Sequence, residues 1–230
     1  MIVHQTTRTP ATQPMAQWLS RVLDPVIEVV KLSAPPPLEI RPTGTFGGWC
    51  EPLSHSPDRR ISVSTKIVFW RQESIVNVYL HECTHRLLDS HGVQSHSAEF
   101  FCLNAVLLLR AAAFFDSNPL LKLSLYDLQE APEALKEHPE AHTLAMAWAL
   151  AEAPVLADSD LTAEELSGEV VGRWKKFIKQ REAAAKAAKR GELARQQREA
   201  AMANTIENLK FWVVGLPIFS GVTVWLCCSR

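Results

Sequence analysis

The clearest chemistry lies in His81-Glu82-Cys83-Thr84-His85, two imidazoles four positions apart with a carboxylate directly after the first. On a helix, positions i and i+4 stand one above the other on one face, so both rings can reach a single ion. Zn²⁺ is the expected ion, because neutral imidazole suits it and a catalytic zinc keeps one corner open for water. Glu82 projects about 100° round the helix from His81, near enough to take a proton from such a water rather than to ligate metal. The chemistry implied is peptide hydrolysis. Water made acidic near neutral pH attacks the carbonyl carbon, and Glu82 carries the proton to the leaving amine. Shuffling a chain of this composition yields the HExxH pattern in about 2% of cases, so the motif has to be read with its surroundings. Those surroundings are apolar, with Leu80 and Leu87 flanking it.

A catalytic zinc takes a third protein ligand, and His91, His96 and Glu99 are the candidates within reach along the chain. His91 has the spacing of the last histidine in HExxHxxGxxH, but Leu88 stands where that pattern places its glycine. Glu99 would complete a two-histidine, one-carboxylate site. His96 opens the segment His96-Ser97-Ala98-Glu99-Phe100. His138 and His142 also fall four apart, but no glutamate follows the first and acidic residues surround them, so they read as a solvated face.

The sequence HECTH, a short loop, then HSAEF resembles the SprT-like metallopeptidases, which include Spartan-type proteases. Their pattern is HExxH, a variable loop, and a third histidine in an H-G/S-x-x-F segment that opens the next helix. Leu38–Arg41, Gly48-Trp49-Cys50 and residues 60–64 are similar to the small sheet that precedes the active-site helix in that family. The likeness covers residues 15–116. It implies an α+β, zincin-like fold with a small antiparallel sheet and active-site helices. It also implies His81, His85 and His96 as zinc ligands, Glu82 as catalytic base, and a protein or peptide substrate. Many members carry a C-terminal zinc ribbon or other nucleic-acid-binding element. This chain has no CxxC pair, so cleavage of DNA-bound proteins is not carried over.

These residues need elements to hold them. Met15, Trp18, Leu19, Val22, Leu23, Val26, Ile27 and Val30 recur at three and four residues, which predicts an amphipathic helix over 12–33. Ala34-Pro35-Pro36-Pro37 ends it. Short strands follow at 38–41, 49–53 and 60–64, with a hairpin turn at His55-Ser56-Pro57-Asp58. In the third strand Ile61 and Val63 alternate with serines. The motif helix runs over about 72–90 with Tyr79 as core, Gly92 marks the break, and a strongly apolar helix covers about 97–115. Residues 123–153 read as helical with interruptions near Pro132 and Pro139.

Charge divides the chain. Residues 1–161 carry 12 Lys/Arg against 18 Asp/Glu, whereas residues 162–230 carry 12 against 7. The expected organisation is a metallopeptidase domain at 1–120, a helical extension at 121–160, a basic helix at 161–210 and an apolar helix at 211–228. The last is 18 residues without a charge, with Trp212 and Trp225 near its ends, which suits a membrane-spanning helix. Ten Lys/Arg between 173 and 198 precede it, so the positive-inside rule keeps the N-terminal bulk in the cytoplasm and sets those cations against anionic lipid. Five cysteines without a CxxC pair, and no signal-peptide-like start, agree with a reducing cytoplasmic setting. Two other readings belong to different classes. One is a membrane-anchored scaffold or regulator with a structural or vestigial zinc site; the other is a soluble, DNA-associated protease acting on nucleoprotein.

Overall fold

The computed structural model describes residues 3–5, 12–41, 48–50, 60–66, 70–93, 96–123 and 139–227. Side chains at 3–5, 12–14, 41, 48–50, 139 and 211–227 fall outside that description. The chain is α+β, with four short strands and five α-helices among the described residues, in two compact units, residues 1–175 and 176–230. The site lies in the first.

Helix α1 (Thr12–Val29) ends four residues before the expected Ser33. Lys31 N–H donates to Glu28 O and Leu32 N–H to Ile27 O, each at 3.1 Å, and this closes the helix with Lys31 at φ 56°. Such a terminator wants glycine, and a side chain there costs roughly 1 kcal/mol. Lys31 is held all the same, since its Nζ meets Asp160 at 3.0 Å and its carbonyl accepts from Ala163 N–H.

The strands β1 (Val3–Gln5), β2 (Leu38–Arg41), β3 (Gly48–Cys50) and β4 (Ile61–Ser64) form one sheet in the order β1-β2-β4-β3. Here the expectation of an antiparallel sheet is corrected. β1 pairs parallel with β2, β2 parallel with β4, and only β3 with β4 is antiparallel. The reason is β4, which inserts between β2 and β3 and hydrogen-bonds to both. All four of its residues are buried, Ser62 and Ser64 included, so an alternation that reads as one wet face belongs to an enclosed central strand. β1 reaches β2 through α1, the crossover that parallel neighbours require. The turn expected at 55–58 and the end of the strand expected at 49–53 lie outside the described residues.

Helix α2 (Gln72–Asp89) carries the HExxH motif and buries Ile75, Val76, Tyr79 and Leu80, so Tyr79 is core as its apolar neighbours suggested. Helix α3 (Ala98–Arg110) buries every residue from Phe100 to Leu108, as a helix apolar on all sides must. A short 3-10 turn, Ala112–Phe114, takes up the rest of the expected span. Helix α4 (Pro139–Ala157) packs on α3 through Ala145, Ala149 and Ala153, a small-residue stripe that allows close approach of the two axes. Residues 124–138, with His138 and Pro132, lie outside the described residues.

Arg110 gathers the ends of these helices. Its guanidinium donates to the carbonyls of Val30, Ala157, Ser159 and Leu161 at 2.7–3.2 Å, satisfying acceptors that helix ends leave unpaired. Helix α5 (Ala163–Cys227) begins in the first unit, where Leu166, Val170 and Val171 are buried, and supplies the described part of the second. Its backbone continues through Gly191 and Pro217 without interruption. Among the described residues no helix is long and apolar enough to cross a membrane. The side chains of the apolar run 211–228 lie outside those residues.

Candidate metal centre

His81 and His85 rise from one face of α2, one turn apart, with ring centroids 4.7 Å from each other. At the end of α2 the backbone turns. Gly92 N–H donates to Asp89 O at 3.0 Å and Val93 N–H to Leu88 O at 3.4 Å, with Gly92 at φ +64°. This is the glycine terminator that the sequence marks as a break. His96 follows at φ 54°, a left-handed conformation unusual outside glycine and costly enough to be kept only where the surroundings enforce it. Ser97 caps α3 immediately afterwards, its hydroxyl accepting from Phe100 N–H. The cap fixes where the helix starts and so where His96 sits before it.

The outcome is three converging rings. His81 Nε2 lies 3.1 Å from His85 Nε2 and 3.4 Å from His96 Nε2, and the ligand atoms of all three residues fall within 4.8 Å of one another. Two nitrogens bound about 2.0–2.1 Å from a tetrahedral zinc stand about 3.3 Å apart, close to the 3.1 and 3.4 Å separations from His81. One nitrogen of His81 carries at most one proton, yet it faces two other ring nitrogens at once. A cation that accepts all three lone pairs resolves that conflict, so the donor set fits zinc.

Burial sets the charge of these rings. Desolvation, and then the nearby His85 and His96, push His81 down to about 3; desolvation and His96 push His85 down to about 4. Both rings are neutral at neutral pH, the form that binds metal. The apolar wall is Phe100, whose ring centroid stands 5.0, 4.5 and 4.7 Å from those of His81, His85 and His96. It is the final residue of the HSAEF segment, four positions after His96, a spacing that places it one turn into α3. Phe100 therefore packs against all three imidazoles at once, a contact that motif reading leaves blank. Glu82, directly after His81, is buried at 7% exposure.

The remaining candidates go elsewhere. His91 does not join the cluster; its Nε2 meets Ser167 Oγ at 2.9 Å. Glu99 lies in the first turn of α3 and is not among the clustered ligand atoms. His142 packs edge-on against Phe101 at 5.6 Å. On the opposite face of α2 is a separate cavity of about 320 Å³, lined by Cys83, Arg86, Leu87 and His91 among others.

No protein-family model, curated protein or solved structure matches this chain.

Proposed function

We propose that this protein is a zinc-dependent peptidase of SprT-like, zincin-type architecture. The single observation that carries the reading is the meeting of three neutral imidazole nitrogens from an HExxH helix and a following loop. A zinc ion held by His81, His85 and His96 would supply Lewis acidity, making water acidic enough to lose a proton near neutral pH. Glu82 accepts that proton as the oxygen attacks the scissile carbonyl carbon. It then delivers the proton to the amine nitrogen as the C–N bond breaks. The substrate is a protein or peptide.

Replacing Glu82 separates binding from chemistry. Glu82→Gln removes the base and keeps the three imidazoles, so zinc content stays at the wild-type level while peptide hydrolysis falls by about 10²–10⁴-fold. Hydrolysis by that variant at the wild-type rate rejects the mechanism.

The apolar run 211–228 serves in this reading as a membrane tether, with the Lys/Arg of 173–198 against anionic lipid. Its support is the uncharged sequence and the exposure of Lys175, Lys176, Lys179 and Lys186 on α5. Full-length protein should remain with the membrane fraction after a high-salt wash; release into detergent-free supernatant contradicts the tether.

A further inference from the structure

We infer that His91 is a positioning residue for the metal centre, acting through the loop that presents His96; the inference rests on the zinc-site reading above. The first turns of α5 hold the partner of His91. Ser167 donates its hydroxyl proton to Glu164 O at 2.7 Å, which leaves Oγ to accept. His91 therefore donates from Nε2–H across the 2.9 Å contact, and that nitrogen is committed to Ser167.

The far end of this link is firmly built in. Glu164 accepts from Ser33 N–H at 3.1 Å and Ala34 N–H at 2.9 Å, one to each carboxylate oxygen. Ala163 N–H donates to Lys31 O at 3.0 Å. Arg86 of α2 donates to Ala34 O at 2.7 Å, so the same corner also grips the helix that bears the other two ligands. Ser167 is 2% exposed. The near end is the residue directly before Gly92, where α2 stops and the chain turns towards His96.

The consequence follows from the backbone. Between the Gly92 turn and the cap at Ser97 lies a short span whose last residue, His96, holds an unfavourable left-handed φ. Without an anchor the His96 backbone relaxes towards an ordinary dihedral, and its ring moves with it. The His91–Ser167 bond closes this route by pinning the start of the span to α5. It reaches no ligand atom, so its effect is on where the third imidazole stands.

The test uses the full chain, with zinc affinity read by competition against a chromophoric chelator and ligand geometry read from the absorption bands of the Co²⁺-substituted protein. His91→Ala and Ser167→Ala should each weaken zinc binding about 10-fold, at the lower end of outer-shell effects, and should alter the Co²⁺ bands. His91→Gln, which keeps an N–H donor at the end of a side chain of similar reach, should restore most of the affinity. Ser167→Ala removes one oxygen and favours helix, so its folding is secure if His91→Ala proves unstable. Wild-type affinity and bands in both variants, with His96→Ala impaired, overturn the positioning role and leave the centre standing. Wild-type affinity in His96→Ala overturns the centre itself, and this inference with it.

Discussion

Two helical stretches of this chain, α2 with its HExxH motif and α5 from 179 to 210, have almost opposite surroundings. In α2 ten residues are buried, among them Asn77, Glu82 and Thr84, and the two imidazoles on its ligand face are driven to neutrality by lost water. Every residue of α5 from 179 to 210 is exposed, and its ion pairs join residues three or four apart, as in Arg195 with Glu192 and Glu199. Both stretches are helical and rich in charge or potential charge. What separates them is burial. It makes a pair of histidines neutral, the form able to bind a metal, whereas cations left in water act through their number and sign.

That contrast makes stability the first way to break it. Phe100→Ala removes the ring shared by all three histidines and should cost about 3–5 kcal/mol in chemical denaturation, with weaker zinc binding as well. A loss below about 1 kcal/mol would mean that the wall is not packed as described. Arg110→Ala comes next. It strips the carbonyls of Val30, Ala157, Ser159 and Leu161 of a shared donor, and should cost about 2–3 kcal/mol by the same measurement. The exposed stretch should barely respond. Arg195→Ala deletes both of its ion pairs, yet the change should stay within about 0.5 kcal/mol. A larger loss would show that α5 is engaged by something beyond its own turns.

What the sequence discloses follows the same division between local and distant. The i, i+4 histidines are legible because a helix alone brings them together, and α2 spans 72–89 against an expected 72–90. β2 and the start of α3 are legible for a similar reason, since proline, glycine and serine mark their limits within a few residues. β1 is not. Three residues hold no period, and their strand identity comes from pairing with β2 across the crossover. The sheet order escapes for a related reason: Ile61-Ser62-Val63-Ser64 spells a half-wet strand, and only insertion between β2 and β3 buries its serines. Choosing His96 over His91 depends on where Gly92 turns the chain and on Ser167, 76 residues further on, taking His91 away. No spacing rule within the loop contains that contact. Gly191 lies inside α5, and the helix runs through it. One glycine costs about 1 kcal/mol, and the surrounding Ala, Glu, Lys and Arg are strong helix formers.

The most direct test of the central claim is zinc-edge X-ray absorption fine structure on the full-length chain purified after zinc-replete growth. One zinc per chain should appear, with the scattering of three imidazole nitrogens at about 2.0–2.1 Å and one further light atom. A chain without zinc, a zinc held by sulfur, or a spectrum with fewer than three imidazoles would contradict the account.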